Sequence, residues 1–462
     1  MKSHLRSLAH LLPKGVIRFE PATLQANSSD AWVASALPTA VAFPRTTEQV
    51  SKILTFTHRN RIPVTTRGAG RGYVGGCVPV RGGLVVSLVK MNRILQISPA
   101  DGVAVVQPGV ITARLGSTAM RRNLFYPPDP ASLKESTLGG NIATNAGGPR
   151  CLKYGVTRNY VLGLEVVLGD GTIVRLGGRT HKNRTGFDLI GLFTGSEGML
   201  GLVTEATLRL IPLPPTRSCL RAEFTSVAKA AAGVQKILGS GLLPCALEIA
   251  DPFTLAAARK AIPNTPNCDS MLIVEFDGQS SSVKSELVAA TKVLRASSSR
   301  IVTAHGNAAC EKIWEIRRGF SYALRDTGLV KLNEDVTVPR GKVVDLFRLT
   351  ARLQKKYGVP ISSFGHAGDG NIHVNLMAPV GTKPDDRHMH RILDELFRGV
   401  LQMGGVISGE HGIGLAKKPW WNAATTPALR SLHTKIKRTL DPRHLLNPGK
   451  YLSKNGVSNL GY

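Results

Sequence analysis

Four residues toward the end of the chain have the types and spacing of a site for metal binding and proton transfer: His366, His373, Glu410 and His411. Asp369-Gly370, flanked by strand-like residues, is a strong signal for a hairpin turn. A turn centred there predicts that His366 lies directly opposite His373, with Cβ atoms roughly 4.5–5.5 Å apart. Two imidazoles so placed can bind one divalent metal at about 2.0–2.1 Å each.

Glu410 lies in the glycine-rich segment Gly404–Gly414 and can complete a His-His-carboxylate set that leaves positions open for substrate. His411 is then available as a general base near neutral pH. The alternative is a pair of unrelated polar strand residues and a plain Glu-His turn. Two histidines in register favour a site, and spacing alone leaves the presence and the identity of a metal open.

A second candidate site is the segment Thr66–Gly76, which contains five glycines between two apolar runs. Glycines let bare backbone N–H groups converge on an anion, most often a phosphate. A Rossmann site is excluded because the loop runs into a strand rather than a helix, and no acidic residue occurs between Glu48 and Asp101. The sequence therefore predicts a nucleotide pyrophosphate bound in another way; the alternative is a flexible surface loop.

Two further glycine-rich segments are residues 137–148 and Thr194–Gly201. We expect residues 137–148 to be an irregular segment that could wrap a ligand, and Thr194–Gly201 to be a turn before the strand that begins at Leu202. The Asn and Thr side chains of residues 137–148 can hydrogen-bond a heteroaromatic ring, and glycine permits close approach. Taken alone, this is a weak signal.

The elements that must position these residues can be read from periodicity and turn signals. A capping box at Thr46 predicts a helix to about Asn60. Strands are expected at Ile62–Thr65, Leu84–Leu88, Val103–Gln107 and Leu202–Ile211, a hairpin at Val161–Leu176, and a helix at Thr112–Arg122.

The proline-rich stretch Pro212–Pro215 is the best domain boundary in the sequence. Beyond it, strands at 246–250 and 271–276 alternate with helices at 226–239, 252–262, 281–297 and 307–325. This order predicts a ferredoxin-like α+β domain in one or two copies.

The chain has 462 residues, of which 42% are hydrophobic and 19% charged. This length predicts two or three domains of ordinary globular composition. No apolar run approaches the roughly 18 residues of a membrane helix. The basic start, Met1–Leu12, lacks the apolar core of a secretory signal, so we expect a short amphipathic helix, with an organelle transit segment left open.

The formal charge of +28 has three readings: attraction of anionic substrates, attraction of anionic lipid or nucleic acid, and solubility. Lys and Arg are spread along the chain, and aromatic residues, at 5%, do not alternate with them as in a base-stacking platform. We therefore expect no nucleic-acid partner. The six cysteines lie far apart without a C-x-x-C pair, which supports no zinc ribbon or iron–sulfur cluster and fits a reducing compartment.

Taken together, the motifs resemble those of FAD-linked oxidases of the vanillyl-alcohol-oxidase (PCMH) type. The resemblance is closest to the glycolate oxidase FAD subunit and to D-lactate and D-2-hydroxyglutarate dehydrogenases. The motifs that carry it follow in the family's order along nearly the whole chain: Arg67–Gly76, Pro128–Pro130, Gly139–Asn141, Asn145–Gly148, Cys151–Gly155, Gly186–Asp188, Thr194–Gly201, His366–His373, Ser408–Gly414 and Leu446–Lys450.

The resemblance implies an α+β fold with a PCMH-type FAD-binding domain of two subdomains and a ferredoxin-like substrate (cap) domain. The implied organisation is an N-terminal helical segment at residues 1–36, the FAD-binding domain at 37–212, the cap domain at 213–420, and a segment at 421–462 that returns to the FAD domain.

The family places the FAD pyrophosphate on Arg67–Gly76 and the flavin against Pro128–Gly148 and Glu197–Val203. The cofactor-binding residues implied are Arg67, Gly68, Ala69, Gly70, Arg71, Gly72, Gly75, Gly76, Pro128, Asp129, Ser132, Thr137, Gly139, Gly140, Asn141, Thr144, Asn145, Gly147, Gly148, Tyr154, Glu197, Gly198, Gly201, Val203 and Asn447. Relatives with covalent flavin carry a His in or beside the glycine loop, where this chain has Arg71 and Tyr73, so non-covalent FAD is expected.

In metal-dependent relatives, His366, His373 and Glu410 match the ligands of one divalent metal, zinc or manganese, and His411 matches the catalytic base. Arg317 matches an anchor for the substrate carboxylate. A lysine of the hydroxyglutarate enzymes aligns near Asn333, with Lys331 two residues earlier. That departure disfavours a long dicarboxylate and favours a smaller acid.

The implied activity is FAD-dependent oxidation of a small 2-hydroxy acid, glycolate or D-lactate, to the 2-oxo acid. The alternatives are a flavin enzyme for another alcohol or for D-2-hydroxyglutarate without a metal, and a basic binding protein without turnover. Single-electron transfer would need a relay on a partner, such as an iron–sulfur subunit. A cytoplasmic protein is expected, and the sequence leaves open the electron acceptor, the oligomeric state and peripheral contact with the anionic inner membrane face.

Overall fold

The computed structural model describes residues 1–382 and 386–452, and the chain forms two compact units. Unit 1 consists of Met1–Ala146, Val156–Leu213 and the described residues from 410 to 452. Unit 2 consists of Gly147–Gly155 and Pro214–Gly409. The short segment Gly147–Gly155 therefore interrupts unit 1, and no predicted domain boundary marked it.

The helices and strands follow in this order: α1 (Lys2–His10), β1 (Ile17–Arg18), α2 (Pro21–Ala26), β2 (Ala40–Ala42), α3 (Thr47–Arg59), β3 (Val64–Arg67), β4 (Leu84–Ser87), β5 (Ile94–Ser98), β6 (Val103–Val106), α4 (Thr112–Met120), β7 (Leu124–Phe125), α5 (Leu138–Thr144), α6 (Cys151–Tyr154), β8 (Val161–Val167), β9 (Ile173–Gly177), α7 (Leu189–Phe193), β10 (Leu202–Arg209), β11 (Ile211–Pro212), β12 (Thr216–Phe224), α8 (Val227–Gly239), β13 (Ala246–Ala250), α9 (Pro252–Ala261), β14 (Ser270–Gly278), α10 (Ser280–Arg295), β15 (Arg300–His305), α11 (Gly306–Arg325), β16 (Val330–Thr337), α12 (Val343–Tyr357), β17 (Ile361–His366), β18 (Asn371–Ala378), α13 (Arg387–Gln402), α14 (Trp421–Ala424) and α15 (Pro427–Leu440).

Unit 1 contains two main sheets. The first has the order β1-β2-β4-β3, in which β4 runs parallel to both β2 and β3. The second is antiparallel with the order β5-β6-β10-β8-β9. Helices α1 and α3 pack against the first sheet and form a hydrophobic core with it. They contribute Leu5, Leu8, Val50, Ile53 and Leu54, all fully or almost fully buried.

Thr46 caps helix α3 as predicted, because its hydroxyl accepts from the N–H of Gln49 at 3.3 Å. The reciprocal bond of a capping box is absent between these two described residues, since the Gln49 side chain accepts from the N–H of Arg45, at 2.8 Å, rather than from that of Thr46. The expectation that residues 137–148 are irregular is wrong, since they contain α5. Thr137 caps this helix, and Asn145 ends it in the left-handed conformation. The glycines lower the helix propensity, but Gly139 is required because a Cβ there would lie 2.5 Å from the Pro108 Cβ.

Unit 2 is built on one antiparallel sheet with the order β15-β12-β14-β13-β17-β18-β16. Its first four strands have the ferredoxin-like order 4-1-3-2, with α9 inserted before the third strand. A second copy begins at β16, and its fourth strand is reduced to the single bridge Thr337–Val406. The prediction of ferredoxin-like units is therefore confirmed in two copies, joined along β13 and β17.

Strand β13 has the bounds that the sequence predicts, but strands β12 and β15 were missed. β12 carries Arg217, Arg221 and Glu223 on one face, and charges on alternate positions look like an exposed surface. In the structure Arg217 pairs with the buried Glu275 at 3.0 Å. In the described part of the chain, no helix has both the length and the apolar character needed to span a bilayer.

Candidate active site

The hairpin that carries the two predicted metal-binding histidines is present in unit 2, but with a different register. His366 pairs with Asn371 and His373 pairs with Phe364, so the expected direct pairing of the two histidines is wrong. The reason is a longer turn, closed where the N–H of Gly370 donates to the His366 carbonyl at 3.1 Å. A slip of two positions keeps both side chains on one sheet face, because strand side chains alternate. The two rings lie 5.3 Å apart, edge to face.

Glu248 on β13 is the carboxylate that holds His366. Its Oε1 lies 2.6 Å from His366 Nδ1, and its Oε2 accepts from Arg317 Nε at 2.5 Å. Burial by itself would raise the pKa of Glu248, but the adjacent His366 and Arg317 outweigh burial and lower this pKa to about 2. Glu248 is therefore ionised at neutral pH, and the predicted metal ligand and substrate anchor share it.

Asp335 on β16 is a second buried carboxylate on the same sheet face. It lies opposite His373 in the ladder, and its Oδ1 is 4.0 Å from His373 Nδ1. The same carboxylate accepts from Asn371 Nδ2 at 2.6 Å and from the N–H of Gly409 at 2.9 Å. Asp335 thus fixes the chain one residue before Glu410, and it is itself a group that could bind a metal with His373.

Arg317 is buried on α11, with its guanidinium carbon 4.8 Å from the centre of the Phe364 ring. The position aligned with the lysine of the hydroxyglutarate enzymes, Asn333, pairs with Asn375 across β16 and β18. Lys331, on the same face, donates to the Ser321 hydroxyl at 2.7 Å. Burial and the charge of Arg325 lower the pKa of Lys331 to about 8.

The glycine loop of unit 1 follows β3 and is held from within by Arg67. The guanidinium of Arg67 donates to the Ser29 carbonyl at 2.7 Å. Gly70 has φ +70°, and a Cβ there would lie 2.1 Å from Arg67 Nη2. A Cβ on Gly68 would lie 2.6 Å from the Thr137 hydroxyl, so the loop packs on the start of α5. Burial raises the pKa of the Cys77 thiol to about 11, so this thiol is protonated at neutral pH.

The segment that carries His411 is fixed inside unit 1 by Glu197. The Glu197 carboxylate accepts the N–H groups of Ile413 and Gly414, each at 2.9 Å, and burial raises its pKa. The His411 ring stacks on Tyr73 of the glycine loop with centroids 5.1 Å apart. His411 and the neighbouring Glu410 can offer ligand atoms within 4.8 Å of one another.

The C-terminal segment binds the same part of unit 1. Asn447 accepts from the N–H of Thr66 at 2.8 Å and donates to the Glu197 carbonyl at 2.5 Å. Lys450 is buried and donates to the carbonyls of Gly75 and Val78, at 2.9 and 2.6 Å. Asn447, which the resemblance implies to be a cofactor-binding residue, therefore also joins β3 to the turn at Glu197.

Several other predicted FAD residues have internal partners. Arg71 pairs with Glu135 at 2.7 Å, Asn141 donates to the Thr112 hydroxyl at 2.7 Å, and Asn145 accepts from the N–H of Arg158 at 2.9 Å. A Cβ on Gly201 would lie 2.6 Å from Val166 Cγ1, and one on Gly198 would lie 2.0 Å from the Thr66 hydroxyl. The FAD-binding role of these residues stays a prediction.

Three predicted FAD residues, Gly147, Gly148 and Tyr154, fall in unit 2 instead. The Tyr154 hydroxyl donates to the Asp277 carboxylate at 2.9 Å, and Lys153 Nζ lies 2.6 Å from the same group. Burial and the charge of Asp277 raise the pKa of Tyr154, so its hydroxyl remains a donor. Their role in FAD binding is likewise untested.

Each unit, considered by itself, has residues that fit the group predicted to bind there: the FAD pyrophosphate in unit 1 and a divalent metal in unit 2. In unit 1, the glycine loop lies between parallel strands β3 and β4, an arrangement in which backbone amides can meet a phosphate. In unit 2, the two imidazoles and nearby carboxylate oxygens are the donor types that zinc and manganese accept. Glu248 and Asp335 could not be predicted from the sequence, because each is a single acid in an otherwise ordinary strand.

Two family models match the chain in succession. The FAD binding domain model matches residues 38–177, and the C-terminal domain model of FAD linked oxidases matches residues 213–451, more than half of the chain.

The chain belongs to the FAD-linked oxidase family. It is thus an FAD-dependent oxidoreductase, as the sequence motifs indicated.

Curated members of this family are similar over most of their length. Glycolate oxidase subunit GlcD of Bacillus subtilis is 38% identical over 91% of this chain and 90% of its own. The Escherichia coli GlcD protein is 36% identical over 89% of this chain and 83% of its own. A D-lactate dehydrogenase of Anaerostipes hadrus is 34% identical over 91% of this chain and 90% of its own.

Solved structures of FAD-linked oxidases share the fold. The structure of p-cresol methylhydroxylase with bound substrate has a TM-score of 0.81 at 19% identity and covers 98% of each chain. That of 4-ethylphenol oxidase from Gulosibacter chungangensis has a TM-score of 0.80 at 20% identity, covering 97% of this chain and 96% of its own. The predicted PCMH-type α+β fold is confirmed.

Proposed function

We propose that this chain oxidises a small 2-hydroxy acid, of the glycolate or D-lactate type, to the corresponding 2-oxo acid. This activity is supported by relatives named glycolate oxidase subunit and D-lactate dehydrogenase, which are similar over about nine-tenths of the chain. The observation that carries the proposal is that unit 2 buries a guanidinium and two imidazoles on one sheet face. Arg317, His366 and His373 suit a small anion, because Glu248 engages Arg317 through Nε and the terminal nitrogens can bind a carboxylate, which a phenol or a simple alcohol does not have.

FAD is proposed to bind non-covalently to a domain of residues 37–212 completed by residues 421–462. When bound, it supplies the two-electron acceptor of the reaction. Support comes from the glycine loop, which contains no His, and from Cys77, which is protonated at neutral pH and so a poor nucleophile. Trichloroacetic acid should release all yellow colour from the protein; flavin that stays on the pellet would contradict this part.

One divalent metal, zinc or manganese, is proposed to bind His366, His373 and Glu410. Glu248 engages His366 Nδ1, so the other ring nitrogen, Nε2, is the one that can serve as a ligand. Chain continuity supports the participation of Glu410, because it directly follows Gly409, which Asp335 holds beside His373. A metal bound there would act as a Lewis acid that makes the substrate hydroxyl more acidic.

His411 is proposed to be the base. The substrate would lose the proton of its hydroxyl to His411 and the hydride of its α-carbon to FAD, and a C=O bond would form. Glu197 supports this role because it holds the two N–H groups just beyond His411, which limits the positions that the imidazole can take. Such preorganisation is what proton transfer over hydrogen-bond distance requires.

Arg317 is proposed to bind the substrate carboxylate with its terminal nitrogens. Its Nε is already held by Glu248, so the plane of the guanidinium is fixed before substrate arrives. A preoriented fork costs less entropy on binding than a freely rotating one. Asn333, in place of a lysine, supports a short substrate without a second carboxylate.

A dye-reduction screen of the purified yellow protein tests the function. Glycolate or D-lactate should reduce the dye, whereas L-lactate and D-2-hydroxyglutarate should be poor substrates. Chelation should remove activity, and added zinc or manganese should restore it, while the FAD spectrum is unchanged. Turnover of D-2-hydroxyglutarate alone, or full activity after chelation, would favour the metal-free alternative.

A further inference from the structure

Glu248 is one carboxylate shared by two residues with separate tasks. It is 1% exposed, and each of its oxygens has a different partner, His366 at 2.6 Å and Arg317 at 2.5 Å. The three residues come from β13, β17 and α11.

The contact of Glu248 with His366 decides which ring nitrogen is available to a metal. A carboxylate on Nδ1 holds the N–H there and leaves the lone pair on Nε2. Partners of this type behind metal-binding histidines fix the ring and raise its basicity as a ligand. The sheet supplies the geometry, because Glu248 and His366 are directly paired residues of β13 and β17.

The contact with Arg317 fixes a planar guanidinium through its Nε. The ring of Phe364 lies 4.8 Å from the guanidinium carbon, and Phe364 is also the cross-strand partner of His373. With Nε held and one face covered, rotation of Arg317 would break the contact with Glu248. The two terminal nitrogens therefore have one preferred direction.

A purely structural ion pair would look different, and unit 2 provides an example. Glu275 is 0% exposed on the neighbouring strand β14, and it accepts from Arg217, Arg150 and Trp314 at 3.0, 3.1 and 2.5 Å. Those partners are outside the predicted site, and no imidazole is among them. Glu275 neutralises the partly buried cations Arg217 and Arg150, whereas the partners of Glu248 are a predicted metal ligand and a predicted substrate anchor.

We infer that Glu248 is a positioning residue that couples the metal site to the carboxylate anchor, by orienting His366 and Arg317 at once. This rests on the proposed function for the identity of the metal and of the substrate. The coupling predicts that one substitution weakens both metal binding and substrate binding, although Glu248 touches neither.

The test is a calorimetric titration of the metal-stripped, FAD-loaded protein with Mn²⁺ or Zn²⁺, followed by steady-state kinetics at saturating metal. Glu248→Gln should weaken metal affinity by roughly 10–100-fold. It should also raise KM for the hydroxy acid more than it lowers kcat, with an unchanged FAD spectrum. Arg317→Met should raise KM alone and leave metal affinity close to that of the wild type, because His366 keeps its carboxylate.

Glu275→Gln is the matched control, since it neutralises an equally buried glutamate of the same sheet. It should lower Tm without changing metal affinity. If Glu248→Gln does not fold because Arg317 is left without a counter-charge, the double variant Glu248→Gln with Arg317→Met removes both charges, and it should still bind metal roughly 10–100-fold more weakly.

The outcomes separate the two hypotheses. Wild-type metal affinity in Glu248→Gln, or in the double variant, overturns the positioning role and leaves the proposed function intact. A wild-type protein that binds no divalent metal overturns both the metal site and the coupling. Metal binding with a loss in Glu248→Gln, but without hydroxy-acid turnover, supports the positioning of His366 and rejects the proposed substrate.

Discussion

The two candidate regions are built from different materials. The loop region of unit 1 is made of main chain and glycine, and its few fixed side chains, such as Arg67, Asn447 and Lys450, bond mostly to backbone carbonyls and amides. The sheet face of unit 2 is made of side chains, and its members are held by two buried carboxylates, Glu248 and Asp335. A site of the first kind depends on space, and one of the second kind depends on charge and hydrogen bonding.

This difference predicts how each region responds to mutation. In unit 1 a methyl group added to a glycine is harmful wherever neighbouring atoms lie too close to it, whether those atoms are polar or apolar. In unit 2 a change that keeps the shape of the side chain, such as Glu→Gln, is harmful because it leaves the buried partner of that side chain without a counter-charge.

The largest expected effect is on turnover. His411→Ala should lower kcat by roughly 10²–10⁴-fold, because a positioned base contributes that much, while the FAD spectrum and Tm stay near the wild-type values. His433→Ala is the control, since that ring in unit 1 also contacts an aromatic partner, Trp421, edge to face with the centroids 5.4 Å apart. Turnover of His411→Ala within a few-fold of the wild type would remove this residue from the mechanism.

A moderate effect is expected from crowding the glycine loop. Gly70→Ala places a Cβ at φ +70° and against the Arg67 guanidinium, which should cost about 1–2 kcal/mol from the backbone alone. Lower Tm and lower FAD content per chain are expected. Gly116→Ala is the matched control: that glycine lies in α4 with nothing within 4 Å of an added Cβ. It should stabilise the protein by about 0.5–1 kcal/mol. Equal Tm changes in the two variants would contradict the dependence on space.

The smallest effect is a pH dependence of stability in unit 2. The pKa of Lys331 is about 8 in the folded protein, lowered by burial from 10.5. Between these values the unfolded chain binds more protons, so this group makes stability rise with pH from about 8 to 10.5. Denaturant titrations of Lys331→Met across that range should give a less positive slope than the wild type. Identical slopes would show that Lys331 does not titrate there.

The sequence predicted most of the unit 1 region because its signals are local. Glycine runs and the capping box at Thr46 act within a few residues, and α3 formed as expected. The exception is α5, where Gly139 and Gly140 mask a helix that its Thr137 cap and its contact with Pro108 require. A propensity argument cannot detect a glycine retained for space between two segments.

The unit 2 face was predicted only in part because its contacts are distant in sequence. Glu248 and His366 are 118 residues apart, and no spacing rule joins them. The histidine pair was found on the correct face with the wrong register, since a four-residue turn and a two-residue turn share the Asp369-Gly370 signal. Strand β12 was missed because the partners of its charges lie on other strands and helices.

The segment Gly147–Gly155 has a consequence for how the protein can be made. Asp277 is 124 and 123 residues beyond Lys153 and Tyr154, the side chains that bind its carboxylate. During synthesis on the ribosome, Lys153 and Tyr154 therefore cannot form these bonds until β14, which carries Asp277, has emerged. A gene divided at Leu213 would likewise give two fragments, one of which contains a buried acid deprived of its donors, so we expect neither fragment to replace the continuous polypeptide.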